Sequence, residues 1–181
     1  MGVRTKLWTR EEYERLVAAG AFPPEARVQL LQGEIVEMTP QSAAHAAAVE
    51  LVQGALQALG AEYRVRVQLP LALTPDSEPE PDLAVVAGPP RTRAEHHPAT
   101  AVLVVEVADT TLEFDRTRKY AIYARARIPE YWIVNLVDHV LEVYRDPQES
   151  TYRTTLRLAP GQSIAPLAVP TSQIPVSDLL P

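Results

Sequence analysis

The sequence predicts one α/β (α+β) domain over residues 1–181, in which short strands and helices follow one another along the chain. The main observation is a pair of apolar runs, at 82–86 and 102–106, with the continuous hydrophobic character of buried strands. A helix-like segment follows the second run at once. With 46% hydrophobic and 22% charged residues, the chain has the composition of a globular domain whose core is large enough to fold alone.

The N-terminal segment predicts a helix followed by a β-hairpin. Thr9 and Glu12 form a capping box that opens the helix, and Gly20 can close it. The hairpin pairs ARVQLL with EIVEM around a turn at Gln32 and Gly33.

A second helix is predicted from an N-cap at Ser42 to about Leu59, before a stop at Gly60. Residues that recur at spacings of three and four form one face of this helix: His45, Val49, Val52, Leu56 and Leu59. His45 therefore lies in the first turn, on the side facing the core. It is either a group at the mouth of a cleft, kept neutral by the helix N-terminus, or a buried histidine with one satisfied hydrogen bond. The second interpretation is favoured.

The next segments contain a strand and two loops. YRVRVQLPLAL alternates well enough for a strand, and Pro70 marks an edge or a bend in it. The acidic, proline-rich loop TPDSEPEP then leads to Asp82 at the start of the following strand. GPPRTRAEHHPAT is predicted to be an exposed loop. Its Arg91 and Arg93 belong to a wider set of arginines considered for contact with a substrate, for most of which ordinary surface charge is the expected role.

Thr110 and Glu113 form a second capping box, which predicts a helix that ends at about Arg127. Strands are predicted near EYWIVN and HVLEVYR, joined by a turn at residues 136–138, and TYRTTLRL is one more strand candidate. The tail, rich in proline and alanine, is expected to pack as an irregular strap that ends at VSDLL.

The composition excludes several classes of function. The chain has no cysteine, which excludes disulfides, thiol catalysis and cysteine metal sites. The motifs G-x-S-x-G, G-x-x-x-x-G-K, G-x-G-x-x-G and H-E-x-x-H do not occur, so serine hydrolases, nucleotide-binding enzymes and zinc proteases have no support. The formal charge of −6 argues against a protein that coats nucleic acid through its overall field, although it allows a local basic groove.

The sequence also gives no sign of a membrane or an export signal. No apolar run approaches the roughly 20 residues that a membrane span needs. The N-terminal residues MGVRTKLWTREEYERL lack the apolar centre of a signal peptide. We therefore expect a cytoplasmic protein without a membrane partner.

Two carboxylates carry the predicted chemistry. If the strands at 82–86 and 102–106 pair antiparallel, Asp82 at the start of one lies opposite Glu106 at the end of the other. Two carboxylates at such a short distance repel each other unless a proton or a cation lies between them. Oxygen ligands without cysteine indicate a hard divalent ion, Mg²⁺ or Mn²⁺, which can polarise a phosphodiester and activate a water. Asp82 and Glu106 are thus the predicted metal ligands.

The helix after the second strand supplies a lysine. Only Lys6 and Lys119 are lysines among the 17 basic residues, and a lysine can approach water or phosphate as a compact point charge. Lys119 is expected to hold the water or to offset charge that develops on phosphate, with Asp115 four residues earlier orienting it. Each piece alone has an ordinary interpretation as a turn cap, a strand end or a solvated helix pair. The order of the pieces together is more specific.

Several blocks together resemble the Uma-two family of restriction-endonuclease-like proteins, part of the PD-(D/E)xK nuclease superfamily. They are RVQLLQGEIVEM, EPEPDLAVV, VVEVADTT, DRTRKYAIYARARIPEYWIVN and the final PVSDLL. The resemblance implies a mixed central sheet flanked by helices, a Mg²⁺- or Mn²⁺-dependent nuclease activity on nucleic acid, with DNA the expected substrate, and a homodimer.

The resemblance also implies roles for individual residues. Asp82 stands at the first acid of the superfamily motif and Glu106 at the second. The motif's lysine should follow two residues after the glutamate, where this chain has Ala108, and Lys119 resembles a lysine relocated to the following helix. Glu34 resembles an extra acid from an N-terminal element.

His45 matches a position where the family commonly has histidine. Arg116 and Arg118 flank the proposed site and are the best candidates for contact with nucleic acid. Two functions stay open at this point. One is a metal-dependent nuclease with Asp82, Glu106 and Lys119 as catalytic residues. The other is a catalytically inactive module on the same fold that binds nucleic acid or protein.

Overall fold

The computed structural model describes residues 2–88 and 96–181. Arg91 and Arg93, with most of the loop predicted around them, lie outside the described residues. The centre of the fold is a six-stranded mixed sheet in the order β3-β4-β5-β6-β7-β8. In chain order these strands are Tyr63–Val67, Leu83–Ala87, Leu103–Ala108, Glu130–Asn135, Val140–Gln148 and Thr151–Leu158. The mixed α/β fold predicted from the sequence is confirmed.

One pair of neighbouring strands, β5 and β6, runs parallel, and the other neighbouring pairs in this sheet run antiparallel. A parallel pair needs a crossover connection that leaves the sheet. Here the crossover consists of helix α3 (Leu112–Phe114), a π-helical turn (Asp115–Lys119) and helix α4 (Tyr120–Arg125). It carries the predicted lysine back across the sheet.

The sheet is covered on both faces. Helix α2 (Ala43–Gln57) and the C-terminal segment pack on one face. The core on this face includes Val49, Val52, Leu56, Val105, Trp132 and Val176. Helix α4 packs on the other face, where the core includes Val104, Ile122, Tyr123, Tyr131 and Ile133. Successive residues of a strand point to opposite faces, so the buried strands are apolar almost throughout.

The N-terminal elements match the prediction closely. Helix α1 (Arg10–Ala18) begins with the predicted capping box at its N-terminus. The predicted hairpin forms a separate two-stranded sheet of β1 (Val28–Leu31) and β2 (Glu34–Glu37). Gln32 and Gly33 both have positive φ, of 51° and 80°, as a two-residue turn between twisted strands requires.

Helix α2 also follows the prediction, with Ser42 as its N-cap and an end two residues earlier than expected. The tail contains more regular structure than an irregular strap. Its strands β9 (Ser163–Ile164) and β10 (Ile174–Pro175) pair antiparallel, and a 3₁₀ turn at Val176–Leu179 follows. None of the described helices combines the length and apolar character that a membrane crossing requires.

The helix after β5 differs from the prediction. The sequence favoured a capping box at Thr110 and Glu113, but the helix begins at Leu112 with Thr111 as its N-cap. The reason is local, because Asp109 Oδ1 accepts hydrogen bonds from the backbone N–H of Thr110 at 2.5 Å and from its hydroxyl at 3.2 Å. The Thr110 side chain is thereby engaged outside the helix.

A buried carboxyl beneath helix α1 gives the first testable prediction. Burial, and then the nearby Glu14 carboxyl, raise the pKa of Glu78 to about 7 from its ordinary value of 4.5. Because the folded state binds this proton more tightly than the unfolded chain, the stability gained is present below pH 4.5 and is lost as the pH rises through about 7. We expect Glu78→Gln to raise the melting temperature by roughly 3–6 °C at about pH 8.5, with little change near pH 5.

The measurement is a thermal melt at both pH values. Glu11→Gln, at an exposed glutamate of helix α1, is the control and should leave the melting temperature unchanged at either pH. An equal change in the melting temperature for Glu78→Gln at the two pH values would contradict the raised pKa of Glu78.

Candidate active site

The antiparallel pairing of β4 and β5 brings two acidic residues together. Leu83 pairs with Val105, so Asp82 falls opposite Glu106, as the sequence predicted. The backbone N–H of Asp82 donates to Glu106 Oε2 at 3.3 Å, and that of Val107 donates to Asp82 Oδ2 at 2.9 Å. The main chain of each strand therefore helps to hold the carboxylate of the other.

Lys119 lies against this acidic pair. Its Nζ is 2.8 Å from Glu106 Oε2 and 3.7 Å from Asp115 Oδ1, in the i,i+4 relation that the sequence suggested. Lys119 is 3% exposed and Glu106 is 1% exposed, so the ion pair is buried. The Thr111 hydroxyl donates to Asp115 Oδ2 at 2.6 Å and fixes the second carboxylate beside the ammonium.

The lysine is the last residue of a π-helical turn. The backbone N–H of Tyr120 donates to the Asp115 carbonyl, five residues back, which makes this turn one residue wider than an α-helical turn. Asp115 and Lys119, the first and last residues of the turn, are both buried, whereas Thr117 between them is exposed. The acid and the lysine thus face the sheet together, as residues four apart on a helix can do.

The cluster carries more negative than positive charge. Burial raises the pKa of Glu106 above its ordinary value, and the Asp82 and Asp115 carboxylates raise it further although Lys119 opposes them. Burial by itself lowers the pKa of Lys119, but the three carboxylates outweigh it and keep the ammonium charged. Three carboxylates thus lie close to one lysine in a buried site. This excess of negative charge favours the binding of a further cation or proton.

His45 completes the arrangement on the side of α2. Its Nε2 lies 3.2 Å from Asp82 Oδ2, and its Nδ1 has no hydrogen-bond partner among the described residues. Burial opposes a charge on both groups, but their contact raises the pKa of His45 and lowers that of Asp82. The histidine has the buried, hydrogen-bonded environment that the sequence favoured, and it also lines the cleft.

These side chains form the floor of a cleft of about 380 Å³. One wall is the segment 36–41, which contains the end of β2 and the residues after it, and the other is the segment 109–114 after β5. The floor consists of His45, Asp82, Glu106, Asp115 and Lys119. Five of the eight predicted site residues therefore come together in one place.

The other three predicted residues lie outside the described lining of the cleft. Glu34 accepts a hydrogen bond from Arg118 at 2.7 Å, and Arg118 also donates to the Leu31 carbonyl at 2.7 Å. Arg116 binds Glu142 through both of its carboxylate oxygens. Each arginine is thus bound to a protein carboxylate in this arrangement.

Sequence reasoning missed one residue of the site. The Tyr123 hydroxyl donates to Glu106 Oε1 at 2.5 Å, so that Tyr123 and Lys119 hold the two oxygens of this carboxylate. The spacing of four residues between Lys119 and Tyr123 could have indicated a shared helical face. The signal was hidden because an apolar helix face with tyrosines is also typical of ordinary core packing.

The donor set fits a hard divalent ion, although the present arrangement is not a complete metal cage. Among residues 2–88 and 96–181, no group of three or more histidine, aspartate or glutamate side chains is placed to hold a metal ion. Mg²⁺ is commonly held by one or two carboxylates, with water and substrate phosphate as the other ligands. Asp82 and Glu106, in a cluster with excess negative charge, meet that requirement.

Comparison with known proteins gives the family. The model described as "Uma2: Putative restriction endonuclease" matches residues 10–177. The chain belongs to the Uma2 family. The resemblance found in the sequence is therefore confirmed. Among curated proteins none matches the chain.

A solved structure has the same fold as this Uma2 protein. It is the crystal structure of "a putative nuclease belonging to DUF820 from Anabaena variabilis ATCC 29413". The two superpose with a TM-score of 0.73 over 94% of this chain and 96% of the other, at 14% sequence identity. At that identity the likeness concerns the fold alone.

The buried ion pair gives the second prediction. Lys119→Met leaves the carboxylates without their ammonium, and we expect it to lower the free energy of unfolding by about 3–5 kcal/mol. The double variant Glu106→Gln/Lys119→Met should lose less than the sum of its single variants, with a coupling energy above about 1 kcal/mol. Urea unfolding of the four proteins measures this cycle.

The chain's other lysine provides the control. Lys6 lies 2.8 Å from Glu12 in an exposed ion pair, with side chains 60% and 29% exposed. The cycle of Lys6→Met with Glu12→Gln should give a coupling energy below about 1 kcal/mol. Equal coupling in the two cycles would contradict the buried, mutually dependent pair at Glu106.

Proposed function

We propose that this protein is a metal-dependent nuclease that hydrolyses phosphodiester bonds of nucleic acid, with DNA as the expected substrate. The observation that carries the proposal is the meeting of Lys119 with Glu106, at 2.8 Å, beside Asp82 at the floor of a cleft. An acid pair can hold a metal ion that polarises a phosphodiester and activates water, and a lysine can offset the charge that develops on phosphate. Membership of a family whose description reads "Putative restriction endonuclease" supports the same reaction.

Asp82 and Glu106 would hold Mg²⁺ or Mn²⁺, which supplies Lewis-acid polarisation of the phosphodiester and a more acidic water. Lys119 stays charged in this site and so can hold the attacking water or offset charge that develops on phosphate. Asp115 orients the lysine from one side. His45 holds the Asp82 carboxylate on its strand.

Arg116 and Arg118 would contact nucleic acid only by exchanging a protein carboxylate for phosphate. The partner of Arg118 is Glu34, whose side chain is 57% exposed, whereas the partner of Arg116 is Glu142, 6% exposed. Releasing an exposed carboxylate into water costs far less than leaving a buried one unpaired. Arg118 is therefore the better phosphate contact, with Glu34 as its partner in the free protein.

A catalytically inactive binding module on the same fold is the second candidate. One observation favours it, because both oxygens of Glu106 already have partners in Tyr123 and Lys119. A metal ion would have to compete for this carboxylate. The homodimer and the cytoplasmic location expected from the sequence remain predictions under either function.

A cleavage assay separates the two functions and is the third prediction. We expect the wild type with Mg²⁺ or Mn²⁺ to cleave at least one of plasmid DNA, single-stranded DNA and RNA. Asp82→Asn and Lys119→Met should each lower the rate about 100-fold or more, since each removes a charged group from the reacting centre. Lys6→Met, the exposed lysine, should cleave at the wild-type rate.

The outcomes have different consequences. Cleavage that survives Lys119→Met but not Asp82→Asn would keep the metal ligand and remove the lysine from the mechanism. The absence of cleavage on all three substrates, with a folded wild type and either ion present, would favour the binding module.

A further inference from the structure

A cluster of tyrosines lies on the face of the sheet that carries Glu106. Their ring centroids are 5.0–6.3 Å apart, in edge-to-face, tilted and stacked pairs. The members are Tyr120, Tyr123, Tyr131, Tyr144 and Tyr152. Phenylalanine would fill the same volume, and a buried hydroxyl costs free energy unless it finds a partner. The partners of the hydroxyls therefore indicate which tyrosines have a further role.

The Tyr123 hydroxyl is directed at the acid of the site. Tyr123 is 0% exposed, and it donates to Glu106 Oε1 at 2.5 Å. The other oxygen of the same carboxylate lies 2.8 Å from Lys119 Nζ. A carboxylate held at both oxygens cannot rotate about its last bond, so the hydroxyl fixes the oxygen that faces the lysine.

The Tyr131 hydroxyl is directed at the π-helical turn. Tyr131 is 0% exposed, and it donates to the backbone carbonyl of Asp115 at 3.1 Å. That carbonyl also accepts the five-residue hydrogen bond that makes the turn wide. Since Lys119 is the last residue of this turn, the Tyr131 hydroxyl holds the backbone segment that carries the lysine. The rings of Tyr123 and Tyr131 contact each other at 5.0 Å.

We propose that Tyr123 and Tyr131 are positioning residues of the reaction centre, which act through their hydroxyl groups to hold Glu106 and the π-helical turn in register. Both side chains are fully buried beneath the floor of the cleft, so neither touches a substrate. Their loss would leave the acid and the lysine present but wrongly oriented. In its effect on activity this inference rests on the proposed nuclease function.

Tyr152 is a matched control within the same cluster. It is 6% exposed, its ring lies 6.3 Å from that of Tyr131, and its hydroxyl has no hydrogen-bond partner among the described residues. Tyr152→Phe therefore removes a buried hydroxyl without removing a contact to the site. Tyr123→Phe and Tyr131→Phe make the same chemical change at hydroxyls that contact it.

The first arm of the test compares steady-state kinetics of the three variants and the wild type. We expect Tyr123→Phe and Tyr131→Phe to lower kcat about 10-fold or more with KM within about twofold of wild type, since orientation and not binding is lost. Tyr152→Phe should stay within about twofold in both constants. Equal losses in all three variants, or none in the first two, would overturn the proposal.

The second arm needs no activity and separates this inference from the proposed function. Urea unfolding is measured for each Tyr→Phe change alone and combined with Lys119→Met. Each single change alters the unfolding equilibrium constant by some factor, and independent changes would multiply these factors in the double variant. For Tyr123→Phe and Tyr131→Phe, each combined with Lys119→Met, we expect the double variant to depart from this product by about 10-fold. For Tyr152→Phe with Lys119→Met we expect a departure of about twofold or less. If the wild type cleaves no substrate, this coupling still tests whether Tyr123 and Tyr131 hold the site in place. Equal coupling at all three tyrosines overturns the proposal.

Discussion

The structure around the candidate site depends on one buried ion pair, that between Lys119 and Glu106. Two charges removed from water are stable only when their remaining hydrogen-bonding capacity is satisfied. Here Tyr123 takes the second carboxylate oxygen, and Asp115 stands beside the ammonium. A buried pair of this kind adds little to stability compared with apolar packing, but removing one partner is costly. The pair is best explained as a constraint that selects one arrangement of strand and crossover.

That constraint links the sheet to the chemistry. β5 supplies the carboxylate, the antiparallel neighbour β4 places Asp82 beside it, and the crossover to β6 returns the lysine. In the motif that the sequence resembles, the lysine would stand on β5 itself, at the position of Ala108, which is fully buried. In this chain the lysine that contacts Glu106 lies instead in the π-helical turn of the crossover.

Much of the fold could be predicted because its signals are local. The capping box at Thr9, the turn at Gly33 and the continuous apolar runs of β4 and β5 each indicate one structure. Juxtaposition of Asp82 and Glu106 followed from strand pairing alone. The π-helical turn could not be predicted, because a single wide turn leaves no distinct hydrophobic pattern in the sequence. The contact of Tyr123 with Glu106 was hidden because an apolar helix face with tyrosines is also typical of ordinary core packing.

The proposed nuclease requires a metal ion bound by Asp82 and Glu106, with Lys119 beside it. The most direct measurement is a crystal structure of the wild-type protein with Mn²⁺, with diffraction recorded for the anomalous signal of the metal. We expect a peak at about 2–2.5 Å from carboxylate oxygens of both acids, absent from Asp82→Ala crystals grown in the same way. A wild-type map with no peak at these acids, and with the lysine still paired to Glu106, would contradict the claim.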